Sequence, residues 1–177
     1  MAQAQGTDRS AERSGAPTEK PSGNLSVERV THQDVAAICS LFKRVWDPSP
    51  SGVPVELVKS WQPTALEFTS WMGGVIYFAA RKDGHLVGVI GCELLHGSCH
   101  LVHFAVDPDV RRTGVGSALV GAAVEWAKKA KAASVWVDTL VALPGPSALF
   151  PRLGFAAVGV LHHHEWGEDV RLFERVV

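Results

Sequence analysis

The chain has 177 residues, of which 46% are hydrophobic, and this is enough apolar material for the core of one domain. Its 17 Lys and Arg side chains balance 18 Asp and Glu. The sequence therefore has neither the basic field of a nucleic-acid-binding protein nor a basic amphipathic run suited to a membrane surface, and no apolar run is long enough for a membrane span.

The first 24 residues are rich in Gly, Ser, Pro and Gln and hold few large apolar side chains. Such a segment cannot bury enough surface to offset its ordering entropy, so residues 1–24 are predicted to be a disordered tail. This segment also lacks the short apolar core of a signal peptide. Residues 25–177 are predicted to form a single domain.

The first ordered elements are a strand near residues 25–30 and a helix that ends near Trp46, where apolar residues recur at helical spacing. Pro54 suits a first helical turn, and Pro63 interrupts the helical pattern after it. Residues 54–71 are therefore predicted to form one broken helix or two short helices.

The hydrophobic period then changes to that of strands. Glycine-containing turns join three strand-like segments into an antiparallel meander, at residues 75–81, 86–95 and 99–106. A helix from about Gly114 to Ala132, a buried strand, a short helix and a final hairpin complete the chain. The fold class is therefore mixed α/β, with a mostly antiparallel sheet of six or seven strands flanked by about four helices.

The segment Arg-Arg-Thr-Gly-Val-Gly, residues 111–116, lies between a predicted strand and the first turn of a predicted helix. The start of a helix leaves backbone N–H groups without intrahelical partners and carries partial positive charge. Glycines allow a ligand to approach that backbone closely, and the two arginines add positive charge. The segment therefore predicts a binding site for a pyrophosphate group.

Two common phosphate-binding patterns do not match this segment. A Walker loop requires Lys-Ser/Thr after the glycines, and a dinucleotide fingerprint requires a third glycine where this chain has Leu119. Asp138 does end the next strand, about where an acid would bind a ribose. A dinucleotide-binding oxidoreductase is therefore an alternative, although the motif comes after antiparallel strands in the middle of the chain.

The segment "VDPDVRRTGVGSAL" resembles the acetyl-CoA-binding signature of the GNAT superfamily of N-acetyltransferases, in which Arg111, Gly114 and Gly116 take the defining positions. The later "ALFPRLGF" resembles another family segment, and the element order matches from about Leu25 to Val177. The resemblance implies that loop amides bind the pyrophosphate, those of Arg112, Thr113, Gly114, Val115, Gly116 and Ser117. It also implies that pantetheine pairs with Phe104, Ala105 and Val106, where this strand and strand 134–140 splay apart.

Two residues are candidates for the general base that deprotonates the acceptor amine. His100 stands where members of the superfamily often have Glu or His, and strand alternation predicts that it shares a face with Val102, Phe104 and Val106. Glu93, on the preceding strand, is the second candidate. His103 is expected on the opposite face.

The resemblance has one departure that bears on chemistry. Many superfamily members have a Tyr before the Leu-Gly-Phe segment that protonates the departing thiolate, and here that position is Phe150. Tyr77 lies in an earlier strand, and Ser147 is the nearest hydroxyl. A thiol pKa near 8.5 allows unassisted departure, and Phe150 is then expected to pack against pantetheine.

The triple His162–His164 is the sequence's one suggestion of a metal site, but adjacent strand residues point to alternate faces and no third ligand is indicated. We expect no metal. Trp46 and Trp166 each lie near acidic residues, Asp47 for the first and Glu165, Glu168 and Asp169 for the second. They are candidates for lining an amine pocket.

We therefore expect an N-acetyltransferase that transfers acetyl from acetyl-CoA to a primary amine by direct attack in a ternary complex. The chain has three scattered cysteines, Cys39, Cys92 and Cys99, and their usage favours a reducing, cytoplasmic location. None of them lies where a covalent acyl-enzyme intermediate would need a thiol. The expected partners are acetyl-CoA and an amine acceptor, with no nucleic acid or membrane. A catalytically weak acetyl-CoA sensor or scaffold stays open, as does a homodimer paired through the C-terminal hairpin.

Overall fold

A computed structural model describes residues 24–47 and 49–177. The strands are β1 (Leu25–Arg29), β2 (Ile76–Lys82), β3 (His85–Leu95), β4 (Ser98–Val106), β5 (Ser134–Leu140), β6 (Ala156–Glu165) and β7 (Glu168–Val176). The helices are α1 (Val35–Trp46), α2 (Val55–Ser60), α3 (Ala65–Trp71), α4 (Val115–Lys129) and α5 (Pro144–Arg152). Residues 1–23 of the predicted tail lie outside the described residues.

The strands form one seven-stranded sheet in the order β1-β2-β3-β4-β5-β7-β6. Every neighbouring pair is antiparallel except β4 and β5, which are parallel. This confirms the predicted mixed, mostly antiparallel class. The described residues form five α-helices rather than about four, because Pro63 separates α2 from α3. A capping box begins α3, where the N–H of Thr64 donates to the Glu67 carboxylate at 2.7 Å.

Helices cover both faces of the sheet. The apolar stripe of α4 packs on one face with Cys92, Leu101 and Val137 in the larger core cluster. On the other face, α1 and α3 pack with Tyr77 and Val89. Both faces of the central strands β3 and β4 are therefore buried, and this packing holds the two strands in place.

The parallel pairing of β4 with β5 is short. It joins Cys99 to Val135, His100 to Trp136 and Leu101 to Val137, and it ends there. Beyond Leu101, β4 pairs only with β3, and beyond Val137, β5 pairs only with β7. The two strands therefore open a gap in the middle of the sheet, as the resemblance implied.

A β-bulge in β4 changes which residues share a face. Val89 pairs with Ala105 while Gly91 pairs with Val102, so β4 holds one extra residue at this point, and His103 has a φ of 50°. The bulge reverses the alternation predicted from the sequence. His100 precedes it, whereas Phe104 and Val106 pack with the α4 cluster, so the predicted common face of these residues is wrong.

The sheet ends at β6, whose residues are exposed apart from the half-buried Glu165. Val158, Val160 and Leu161 are among its exposed apolar side chains. A homodimer paired through the C-terminal hairpin would use this edge, and it stays a prediction. Within the described ranges, we find no helix with the length and apolar character needed to span a membrane.

Gly91 lies where strands β2, β3 and β4 meet, and a methyl group there would be 2.8 Å from side-chain atoms of both Val102 and Val75. We expect Gly91→Ala to lower the free energy of unfolding by about 1–3 kcal/mol, because the packed core cannot yield. Urea denaturation measures this. Gly159→Ala, with no atom near its added methyl group, is the control, and an equal loss in both variants would contradict the account.

Candidate active site

Two cavities meet at the gap between β4 and β5. One, of about 820 Å³, lies between the end of β4, the loop before α4, and α5. The other, of about 360 Å³, lies beneath α2 and α3 and includes the part of the gap where the β4–β5 pairing ends. Trp46, Phe104, Leu143 and Pro146 line both cavities. The two cavities therefore adjoin at the gap and share part of their lining.

The larger cavity lies against the start of α4. Gly114 caps this helix with a φ of 93°, a conformation that favours glycine. The first hydrogen bond of the helix runs from the N–H of Ala118 to the carbonyl of Gly114, at 2.9 Å. The amides of Val115, Gly116 and Ser117 therefore precede the hydrogen-bonded ladder and carry the positive end of the helix dipole.

The loop before α4 is held in place by its own hydrogen bonds. The Asp107 carboxylate accepts from the N–H of Asp109 at 3.1 Å and from the Arg44 guanidinium at 3.0 Å. The Thr113 hydroxyl donates to the carbonyl of Val110 at 2.7 Å. Because Asp107 is bound to Arg44 of α1, the loop is attached to a helix on the far side of β4.

Charge in the larger cavity is of one sign. Arg111, Arg112 and Arg152 line it, and among its lining residues there is no Asp or Glu. Gly116 lies at its floor, where a methyl group would be 3.3 Å from Phe104 and 3.4 Å from Leu149. Arginines, free amides and a close backbone approach together suit a phosphate-bearing ligand.

Most of the predicted cofactor-binding residues lie together here. The larger cavity is lined by Phe104, Ala105, Val106, Arg111, Arg112, Gly114, Gly116 and Ser117. The side chains of Thr113 and Val115 do not line it, because the first is bonded within the loop and the second is buried in the core. The prediction for these two residues concerns their backbone N–H groups, so the positions of their side chains do not bear on it.

The two predicted residues of α5 lie deeper. Phe150 is fully buried against Phe104, Phe155 and Phe173, and it contributes to the wall of the smaller cavity. Ser147 lines neither cavity, and its hydroxyl oxygen is buried without a hydrogen-bond partner among the described residues. The position where a Tyr was expected therefore presents an aromatic edge and no proton donor.

The smaller cavity holds a histidine–aspartate pair. Nε2 of His100 is 2.6 Å from an Asp138 carboxylate oxygen, and the imidazole stacks on the Trp136 ring at 3.6 Å. These contacts connect β4 to β5 at the last part of their pairing. The carboxylate favours a proton on Nε2, so Nδ1 is the nitrogen that can accept a proton.

A second histidine lies on the same side of the sheet, which corrects the prediction that His103 faces away. Its Nδ1 is 2.6 Å from the Tyr77 hydroxyl, and its ring stacks on Trp71 at 4.1 Å. Burial, with a smaller contribution from the nearby His100, lowers the pKa of His103 to about 4. Burial also raises the pKa of Tyr77. Both groups are therefore neutral at pH 7, and the hydroxyl can donate to Nδ1.

Of the acidic residues near the gap, some line the smaller cavity and one does not. Glu93 pairs with His100 in the β3–β4 register, but it lines neither cavity. Asp138 and Glu165 both line the smaller cavity. Burial, and then the charge of Asp138, raise the pKa of Glu165. No Lys or Arg lies among the residues lining this cavity, so its charge is opposite to that of the larger one.

Sequence reasoning missed part of this site. It indicated Asp138 only as a candidate ribose ligand, although this residue is two positions beyond Trp136 on the strand predicted to neighbour His100. Trp61 and Trp71 line the smaller cavity, but the sequence places them only in short helical segments. Of the two expected tryptophans, Trp46 lines it, whereas Trp166 lies outside it and is 65% exposed.

The three consecutive histidines take part in the β6–β7 hairpin. Nδ1 of His162 is 3.0 Å from the Asp169 carboxylate, and Nδ1 of His163 is 3.1 Å from the carbonyl of Gly167. Across residues 24–47 and 49–177, no group of three or more His, Cys, Asp or Glu side chains is arranged to hold a metal ion.

Comparison with known proteins agrees with this geometry. The sequence profile of the Acetyltransferase (GNAT) family matches residues 36–155. The E. coli ribosomal-protein-S18-alanine N-acetyltransferase superposes with a TM-score of 0.70 at 19% identity, covering 87% of this chain and 94% of that one. A PaiA N-acetyltransferase from Thermoplasma acidophilum, in complex with coenzyme A, superposes with a TM-score of 0.72 at 13% identity, covering 87% and 99%.

Curated relatives match over a shorter stretch. An N-alpha-acetyltransferase of Sulfurisphaera tokodaii is 32% identical over 110 residues, which is 54% of this chain and 66% of that protein. A Bacillus subtilis protein, provisionally named a [ribosomal protein bS18]-alanine N-acetyltransferase, is 26% identical over 95 residues, 52% of this chain and 63% of its own. The match thus spans just under two thirds of each relative.

The superpositions show that this protein shares its overall fold with these acetyltransferases. The family match extends over more than half of the chain and includes the loop, α4 and α5. The chain belongs to the GNAT acetyltransferase family, and this membership overturns the dinucleotide-binding alternative.

The buried His103 makes stability depend on pH. Its pKa is about 4 in the folded state and about 6.5 in the unfolded chain, so the unfolded chain binds the extra proton between these values. Stability is therefore complete above pH 6.5 and falls as the pH is lowered toward 4. By linkage, the loss between pH 7.5 and pH 5 is about 2 kcal/mol.

We expect His103→Asn to remove most of this pH-dependent loss, because Asn accepts the positive φ but does not titrate. Urea denaturation of parent and variant at pH 7.5 and pH 5 measures the difference. The exposed His85→Asn is the control. A parent and a His103→Asn variant that lose the same stability on acidification would contradict a buried, neutral His103.

Proposed function

We propose that the protein transfers the acetyl group of acetyl-CoA to a primary amine, by direct attack within a ternary complex. The observation that carries the proposal is the opposite charge of the two cavities that meet at the β4–β5 gap. Arginines and helix amides line the side suited to a diphosphate, and two carboxylates line the side suited to an ammonium ion. The solved relative from Thermoplasma acidophilum holds coenzyme A.

On the donor side, the diphosphate binds the amides of Val115, Gly116 and Ser117, with Arg111 and Arg112 beside it. The pantetheine arm extends along β4 from Val106 toward Phe104, because this edge of the strand lacks a partner beyond Leu101. Backbone N–H and C=O groups left open by the missing strand can then pair with the amides of the arm. This places the thioester in the gap.

On the acceptor side, His100 takes a proton from the ammonium group, directly or through water. Asp138 stabilises the resulting imidazolium across the 2.6 Å contact. The free amine then attacks the thioester carbonyl carbon, a C–N bond forms, and the C–S bond breaks to release the thiolate. The second amine proton leaves with the thiolate or with water, so acetyl-CoA and the amine give the amide and CoA.

Glu93 is the weaker candidate for the base, because it lies outside both cavities. The thiolate departs without help from the α5 position, since Phe150 has no proton to give. A thiol pKa near 8.5 makes the thiolate an adequate leaving group at neutral pH.

A direct mechanism is supported by the cysteines. Cys39, Cys92 and Cys99 are free thiols, and none of them lines either cavity. A covalent acetyl-cysteine would need a thiol at the gap. Free thiols also agree with the proposed cytoplasmic location.

Charge reversal at Arg111 tests the donor site. We expect Arg111→Glu to weaken acetyl-CoA binding by at least about tenfold, because a charge-assisted contact becomes a repulsion. Isothermal titration calorimetry at low and high salt measures it, and the loss should shrink at high salt. Arg29→Glu, at an exposed position on β1, is the control. Equal affinities for parent and Arg111→Glu would count against the loop assignment.

Removal of the imidazole tests the base. We expect His100→Ala to lower kcat at pH 7 by about 10²–10⁴-fold, the usual contribution of general base catalysis, while acetyl-CoA binds as in the parent. Release of CoA thiol measures kcat as a function of pH. Glu93→Gln should keep most of the activity. A His100→Ala profile that matches the parent's would remove His100 from this role. Measurable acetyl-CoA binding with no turnover of any amine by the parent would favour a sensor.

A further inference from the structure

The smaller cavity is built largely from aromatic rings. Trp46, at the end of α1, is 4.6 Å from Trp61, ring centre to ring centre, and Trp71 at the end of α3 stacks on His103. All three tryptophans line the cavity. Together the three indole rings give this side of the cavity an aromatic lining of a kind that aromatic and cationic ligands occupy.

The two carboxylates of the cavity lie near each other. Asp138 and Glu165 lie close enough that the charge of one raises the pKa of the other, and Asp138 contacts His100 at the gap. Most of the remaining wall is aliphatic or aromatic, with Phe42, Leu101, Val102, Val137, Leu140 and Leu143 among its residues. A ligand that matches this lining carries a positive charge at one end and an apolar body at the other.

A peptide acceptor fits this lining poorly. An extended peptide needs partners for its own backbone N–H and C=O groups. Two strand edges face the gap, that of β4 beyond Leu101 and that of β5 beyond Val137. In the proposed complex the pantetheine arm occupies the first, which leaves a peptide only the short β5 edge from Asp138 to Leu140. Apart from the histidines and carboxylates, the polar side chains in the lining are those of Ser60 and Thr139, beside the indole N–H groups.

We propose that the acceptor is a small primary amine with a flat apolar or aromatic body, such as an arylalkylamine. This inference rests on the proposed function. Its ammonium group lies near Asp138 and Glu165 and faces His100 at the gap, and its body lies against Trp61 and Trp71. A volume of about 360 Å³ lies within the range of small-molecule pockets. The curated relatives are named for protein N-terminal acceptors, so the proposal separates this chain from them.

The test compares acceptors for the whole chain at saturating acetyl-CoA, with release of CoA thiol as the measurement. The panel holds 2-phenylethylamine, n-butylamine, spermidine and a short peptide with a free N-terminal alanine. We expect kcat/KM for 2-phenylethylamine to exceed those of n-butylamine and the peptide by at least about tenfold, because the ring buries apolar area against the tryptophans.

Two variants, each with a matched control variant, test which residues cause the preference. Trp61→Leu should reduce the ratio of kcat/KM for 2-phenylethylamine over n-butylamine by at least about threefold, because an aromatic ring that lines the cavity is lost. Trp166→Leu, at the exposed tryptophan, should leave this ratio unchanged. Glu165→Gln should raise KM for both amines severalfold with little change in kcat, whereas Glu168→Gln on the neighbouring strand should not.

The outcomes separate this inference from the proposed function. If the peptide or spermidine is acetylated and 2-phenylethylamine is not, the acceptor class is wrong while the acetyltransferase activity stands. If acetyl-CoA binds but 2-phenylethylamine neither reacts nor binds in calorimetry with CoA present, the inference is also overturned. If acetyl-CoA itself does not bind, the proposed function fails. A preference for 2-phenylethylamine that survives Trp61→Leu would contradict the placement of its ring.

Discussion

The site depends on the early end of hydrogen bonding between two parallel strands. β4 and β5 pair at only three positions and then separate after Leu101 and Val137. Each strand stays fixed by its other neighbour, because β3 pairs with β4 to its last residue and β7 pairs with all of β5. The sheet therefore opens without losing order on either side. A backbone edge in the interior of a sheet is expensive to leave unpaired, and this favours a ligand that completes it.

Electrostatics divides the opening into two halves. The α4 amides and three arginines are on one side, and two carboxylates are on the other. Neither set is formed by a single element. The basic side needs α4, its loop and α5, whereas the acidic side needs β5 and the end of β6. Under the proposed function, this division separates the contacts of an anionic donor from those of a cationic acceptor, and their reactive atoms meet between β4 and β5.

Much of this arrangement could be predicted from the sequence, because it depends on patterns of residues that are close together along the chain. The period of the strands, the prolines around α2 and α3, and the Arg-Arg-Thr-Gly-Val-Gly loop indicated the element order and the loop's place before α4. The acid–histidine pair was harder to see, since His100 and Asp138 come together only through the β4–β5 register. The face of His103 was predicted wrongly, because a single inserted residue at a bulge reverses every later side chain and leaves no periodic signal. The positions of Trp61 and Trp71 in the smaller cavity depend on how two short helices pack, which sequence spacing does not specify.

The most direct test of the account is a crystal structure of the protein with acetyl-CoA bound. The account predicts the diphosphate on the amides of Val115, Gly116 and Ser117, the pantetheine arm paired along Phe104 to Val106, and the acetyl group in the gap within reach of His100. A structure in which the diphosphate lies elsewhere, or in which the acetyl group points away from the gap between β4 and β5, would contradict it.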